Sequence, residues 1–509
     1  LRGWDGRAWG HIPSQMDTAA GEIVADEGPL PLALALVRSN PNAQPAISVE
    51  VAPGATVPED VAPLVGEASV GPLTLDQSGS LSGEVADAPE AASRFVRVTN
   101  RGAVIDQAAI TTFLNDAAMQ DAQISSLVGQ AQSEGYAGVH VDYQGVPVAM
   151  SAAYTDYVTR LADALHADGQ QLAITLGTPA PVGNRWDTGG QNWAALGRAA
   201  DIVHVQMPLD PTAYVENGPA EQLVAWTVSQ IDRSKVNLLL TAGAVNKVGD
   251  VYTELPAEQA LANLGQLALA GGAVEVDPGA MVDIALEGTA SPLEWDGNAL
   301  AYKYTFEQAG QEQTIWFVSE AALVDRLQLA ADYNLRGATV RGLVLGSGPA
   351  YAAALNNYLG QGEAPQPGGA AIAWTVRDAN DSVIASETGS DLDYAWTASE
   401  NPGTYVVEAD LVLGETTVSL GEIEVVVSGE EAVAEAPTAT PEATAEPAAP
   451  AGGTGSQPAT PAPSANLGAP GEATAVVNCP ANVRTGPGIS YGTIAGGAVG
   501  HVDVPTATA

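Results

Sequence analysis

A single cysteine, Cys479, stands in 509 residues, which excludes an internal disulfide framework and any multi-cysteine metal site. Lysine is nearly absent, with Lys235, Lys247 and Lys303 the three present. Basic residues of both kinds number 18 against 60 acidic ones, giving a formal net charge of −42. Such a surface repels nucleic-acid phosphates and anionic lipid, so neither is expected as a partner. Apolar runs stay short of the roughly 18 residues that cross a bilayer, and no membrane span is expected. No signal peptide precedes Leu1; the expectation is a removed leader or a piece of a longer chain.

What is present is ample apolar material, 46% of the chain, enough for two to four units with real cores. Residues 429–470 are Pro, Thr, Ala and Glu with almost no large apolar side chains, and read as an extended linker. Thr/Pro-rich tethers of this kind suit an extracellular or cell-surface protein. Ahead of the linker, 368–428 alternates with period two between Gly, Asn and Asp turns. It is expected to be an all-β sandwich of immunoglobulin type. Residues 1–44 fit neither pattern and read as a β-rich extension or the tail of an upstream domain.

The body, 45–362, alternates eight strand-like apolar runs with amphipathic segments. "AISVEVA", "ASVGPLTLD", "RFVRVTN", "AGVHVDY", "QLAITLG", "DIVHVQM", "VNLLLTA" and "GATVRGLVLG" predict strands covered on both faces. Tyr154, Tyr157, Val158, Leu161 and Leu165 fall on one helical stripe, with Ser151 placed to cap it and Gly169 to end it. The fold expected is a (β/α)8 barrel with a small α+β insertion at about 274–317, between strands seven and eight. Helices between the first and third strands are hard to find.

At the fourth strand, Ala137, Gly138, Val139, His140, Val141, Asp142, Tyr143 and Gln144 fall on the Asp-Gly-x-Asp-x-Asp-x-Glu signature of the family-18 glycoside hydrolases. Residues 46–360 resemble those chitinase-like barrels. The resemblance implies a site at the carboxyl end of the strands, where the last residue of the signature donates a proton to the glycosidic oxygen. Gln144 stands there, and a carboxamide has no acidic proton to give near neutral pH. His140 replaces the middle aspartate, and Asp142 alone remains. On the sixth strand, where the family has Met-x-Tyr-Asp, Gln206 and Pro208 stand near the Met and Tyr. On the eighth, Leu343 falls where a tryptophan would form the floor under the sugar.

Asp142 can also be read as a loop cap, and His140 as a core histidine with its hydrogen bonds made. Asp210 is the candidate for a replacement acid. Trp186, in the polar loop "GNRWDTGG", and Tyr214 are candidates for stacking on a sugar, together with Asp142, Gln144 and Gln206 as polar contacts; Trp193 has helical spacing and reads as core. Neither a metal nor a cofactor is expected. At the far end, Asn482, Val483, Arg484, Gly486, Pro487, Gly488 and Tyr491 resemble the bacterial Src-homology-3-like domains, of which 471–500 would be a partial copy. The expectation is a surface protein with a degenerate, non-catalytic barrel. It would bind a glycan or cell-wall polymer, or serve a structural role with self-association. The alternative is an active hydrolase of β-linked N-acetylated glycans.

Overall fold

The computed structural model describes residues 1–428 apart from 18–19, 21, 26–30, 38–41, 91, 184, 256, 271, 273, 343–348, 366–367 and 415. Beyond 428 it describes 474–477, 482–484, 493–496 and 500–503. The chain forms two compact units, Leu1–Gly429 and Glu430–Ala509.

Eight parallel strands close on themselves in the first unit: β1 (Ala46–Val51), β2 (Glu67–Leu75), β3 (Ser93–Thr99), β4 (Gly138–Asp142), β5 (Gln171–Leu176), β6 (Ile202–Gln206), β7 (Val236–Thr241) and β8 (Gly337–Arg341). β8 pairs with β1 and β1 with β2, which completes the ring. Two glycines permit the closest backbone approaches. A Cβ on Gly138 would lie 1.9 Å from the Gln171 carbonyl oxygen, and one on Gly337 2.1 Å from that of Ala46. All eight expected strands are present, because apolar residues on their outer faces bury against surrounding helices.

Those helices are α1 (Gln107–Leu114), α2 (Ala117–Ser133), α3 (Ser151–Ala167), α4 (Trp193–Ala199), α5 (Pro219–Gln230), α6 (Glu320–Asp332) and α7 (Pro349–Tyr358). Asp106 and Asp116 cap α1 and α2 through their carboxylates. α3 buries the expected stripe of Tyr154, Tyr157, Val158, Leu161 and Leu165. Its cap differs: Ser151 is the first helical residue, and Met150 occupies the cap without a side-chain bond. Among the described residues no α-helix separates β1 from β3, only a short 3-10 turn at Ala62–Leu64.

The β-rich part is organised differently from the expectation of a self-contained sandwich. The strands inserted after β7 begin at Ala244, ahead of the expected residue 274. One inserted sheet runs in the order 251–255, 244–248, 311–318, 301–308, 294–296. Other inserted strands join the segment after the barrel. Met281–Glu287 pairs with Asp393–Thr397, and Glu275–Val276 pairs with Thr416–Val427. Ile284 from the insertion shares one core with Trp374, Trp396, Tyr405 and Val407. Two distant stretches therefore build a single β body.

Residues 1–44 contribute a three-stranded sheet, ordered Trp9–His11, Arg2–Trp4, Ala33–Ala35, and a hairpin of Ser14–Asp17 with Glu22–Ala25. In the second unit Thr474–Val477 pairs with Gly500–Asp503, and Asn482–Arg484 with Thr493–Gly496. The expected linker and the turn residues Gly486, Pro487, Gly488 and Tyr491 lie outside the described residues, as does Leu343. No described helix is long and apolar enough to cross a membrane.

Candidate functional site

The interior of the barrel is polar, unlike its outer face. Alternation along each strand sends every second side chain inward. The inward set includes Ser48 and Glu50 of β1, Arg97 of β3, His140 and Asp142 of β4, and Thr175 of β5. Ser69 of β2, His204 of β6, Asn237 of β7, and Thr339 and Arg341 of β8 belong to it too, above a small apolar layer of Phe95, Ala173 and Ile202.

Nearest the amino ends, Arg336 pairs with Glu67, whose Oε2 also accepts from Ser48 Oγ at 2.8 Å. Above this pair lie two histidines. His140 meets Ser69 Oγ through Nδ1 at 2.8 Å and Thr175 Oγ1 through Nε2 at 2.7 Å. His204 meets Thr339 Oγ1 at 2.6 Å, and the two rings stand 4.4 Å apart between centroids. Burial pushes the His140 imidazole well below its ordinary value, and pushes His204 down to about 4. Both are therefore neutral at pH 7, and His140 is the satisfied core histidine of the sequence reading.

At the carboxyl ends, where barrel chemistry usually sits, charges are paired with one another. Glu50 accepts from Arg341 Nε at 2.8 Å and forms an ion pair with Arg97. Burial alone would raise the Glu50 carboxyl, but Arg341 and Arg97 hold it well below its ordinary value. Arg341 also reaches Glu254 at 3.5 Å, and Glu254 accepts from Thr241 Oγ1 at 2.6 Å. Glu254 belongs to the insertion, so an inserted strand reaches the barrel mouth.

Asp142 and Gln144 stand beside this network. Gln144 donates through Nε2 to Asp142 Oδ1 at 2.8 Å and to the Thr175 carbonyl at 3.3 Å. Its backbone is fixed by a reciprocal pair: its amide donates to Asn100 Oδ1 and its carbonyl accepts from Asn100 Nδ2, both at 2.8 Å. A Cβ on Gly177 would come within 2.5 Å of Gln144 Oε1, so glycine there makes room for the carboxamide. Burial pushes the Asp142 carboxyl above its ordinary value, against the pull of Arg97. Asp142 is thus a buried acceptor for an amide, with no acidic donor at position 144.

The remaining candidates are placed apart from this pair. Tyr143 points outward and donates to Gln123 Oε1 at 2.9 Å among the helices, and Gly138 sits at the opposite end of β4. Asp210 caps a turn, accepting from both the amide and the hydroxyl of Thr212 at 2.9 and 2.7 Å. Gln206 and Tyr214 line a cavity with Thr241, Glu254 and Arg341. Its volume is about 10 Å3, against roughly 300–1,000 Å3 for ordinary ligand sites. The Tyr214 hydroxyl donates to the Pro208 carbonyl at 3.0 Å, and the Arg326 guanidinium covers its ring at 4.5 Å. Trp186 lies on a hairpin of Ala180–Val182 with Arg185–Asp187, its ring 6.0 Å from Trp226 of α5 and outside the lining of that cavity. Trp193 is buried, as expected.

Sequence reasoning missed Glu50, Arg97, Arg341 and Glu254. The first three carry a visible signal: each is a charge at an inward position of an otherwise apolar strand, a placement tolerated only when the charge is paired. Among the described residues no three His, Cys, Asp or Glu side chains gather in a way that could hold a metal ion.

No family model matches the chain. It is 24% identical over 237 residues to the cortical fragment-lytic enzyme of Bacillus subtilis (strain 168), covering 44% of this chain and 50% of that protein. It thus spans about half the length of the curated relative it matches. Among solved structures it is similar to the spore cortex-lytic enzyme SleL of Bacillus megaterium QM B1551, with TM-score 0.48 and 15% identity over 66% of this chain and 79% of that one. It is also similar to a class V chitinase from Pseudomonas fluorescens Pf-5, with TM-score 0.47 and 18% identity over 62% of this chain and 99% of that one.

Proposed function

We propose that this chain is a non-hydrolytic protein of the cell surface, in which a glycosidase-like barrel is kept as a scaffold for glycan contact or extracellular assembly. The observation that carries the reading is the bond from Gln144 to Asp142. Hydrolysis of a glycosidic bond needs a titratable donor beside the leaving oxygen. Here the corresponding side chain is an amide that spends its protons on the neighbouring carboxylate and a backbone carbonyl. The surface location is supported by composition, through the Pro/Thr/Ala-rich segment and the acidic charge.

A second reading is favoured by one observation: the curated relative is named as a lytic enzyme. Under it the chain hydrolyses β-linked N-acetylated glycans with Asp210 as replacement acid. Asp210 would have to give up the Thr212 bonds that it accepts as a cap. Calorimetric titration of the full chain with chitin oligomers and peptidoglycan fragments, with the same samples analysed for cleavage, separates the two. The first reading expects intact oligomers; cleavage would establish the second.

A further inference from the structure

A large cleft lies away from the mouth. It runs from the amino ends of β1, β7 and β8 along α5 to the hairpin carrying Trp186, with residues of 1–44 as its other wall. Its volume is about 1210 Å3, room for several sugar rings. Four of the 18 basic residues in the chain line it: Arg2, Arg185, Arg233 and Arg336. Asp232, paired with Arg2, and Glu67, paired with Arg336, offset two of these charges. Arg233 donates to the Tyr333 carbonyl at 3.0 Å. Arg185 is exposed on the hairpin, and its side chain has no hydrogen bond or ion pair among the described residues. On a protein of charge −42, cations are scarce enough that their gathering around one concavity marks its ligand as anionic.

The same cleft holds an aromatic platform. Trp186 and Trp226 are half-buried, 6.0 Å apart and tilted by 33°, and Trp193 backs Trp226 at 4.8 Å. Gln15 and Gln44 add exposed amides to the walls. His11 lines it too, and its Nε2 has no hydrogen-bond partner among the described residues. Indole faces stack on the apolar faces of sugar rings, amides bond hydroxyls, and guanidinium forks hold carboxylates. We propose that this cleft binds an acidic glycan, a saccharide chain bearing carboxylates, and that Trp186 and Arg185 are its principal contacts. The site is separate from the barrel mouth and stands whatever that mouth does.

The test is titration of the full chain with oligogalacturonate, with cello-oligosaccharide as the neutral counterpart. The acidic oligomer is expected to bind, more weakly as salt rises. Trp186→Ala and Arg185→Ala are each expected to weaken it about tenfold. Arg185 is exposed, so its substitution tests the contact even where Trp186→Ala disturbs the packing of Trp186 against the core. Trp295→Ala, an exposed aromatic outside the cleft, should leave binding unchanged. Three results would overturn the proposal: no binding, equal binding of the neutral oligomer, or binding indifferent to both substitutions. Preferential binding of a synthetic peptide of residues 430–447, which carries five glutamates, would also overturn it, by making the cleft a dock for acidic protein.

Discussion

The two ends of the barrel share eight strands and differ in what their charges do. At the carboxyl ends Glu50 pairs with Arg97 and Arg341, and Arg341 with Glu254, the last two lining a cavity of about 10 Å3. Toward the amino ends, arginines and tryptophans border about 1210 Å3 of open space. In catalytic barrels the carboxyl ends hold the chemistry, while the amino ends serve stability. Here paired charges tie the carboxyl ends together, and the larger of these two described cavities borders the amino ends.

The largest test of that contrast is Glu50→Ala. It would leave Arg97 and Arg341 buried without their shared partner, and urea denaturation should register a loss of about 3–5 kcal/mol. A cost under about 1 kcal/mol would mean that the mouth network is not structural.

Acid should act next. His140 and His204 are held neutral in the fold, with His204 at about 4 against an ordinary 6.5. Depressed folded values mean that the unfolded chain takes up these protons first. Stability is then fully present above 6.5 and falls as pH drops toward 4, by up to about 1.4 kcal/mol per pH unit for each histidine. The raised Asp142 carboxyl works in the opposite direction. Denaturation midpoints at pH 7 and pH 5 should differ, the lower pH being less stable; equal midpoints would contradict the polar interior.

Gly177→Ala forces a methyl against Gln144 Oε1 and should cost about 1–3 kcal/mol. A neutral outcome would mean that the carboxamide is free to leave Asp142. Smallest is Glu254→Ala. Its side chain is 28% exposed and its ion pair with Arg341 is long, 3.5 Å, so the loss should stay near or below about 1 kcal/mol by the same denaturation assay. A larger loss would make the inserted strand a principal anchor of the mouth.

Much of the barrel was legible because its strands are continuous apolar runs of the right length, and α3 because its stripe repeats at helical spacing. The β body was not. Alternation with period two identifies Met281–Glu287 and Asp393–Thr397 as strands but carries nothing about their being partners across a hundred residues. The mouth network was hidden for the same reason, since Arg341 lies 291 residues from Glu50. Gln144 was readable in place, but its bond to Asp142 needed the geometry. Trp186 was expected at the mouth because its loop follows β5; the hairpin instead turns outward, where Trp226 of α5 offers an apolar face.

The central claim, that the barrel does not hydrolyse glycans, is tested most directly by mass-spectrometric assay of chitin oligomers and peptidoglycan fragments with the native chain and Gln144→Glu. The expected result is intact substrate in both, because restoring the carboxyl leaves His140, Gln206 and Pro208 at the other positions that depart from the family pattern. Turnover by the native chain, or its appearance in Gln144→Glu, would contradict the account.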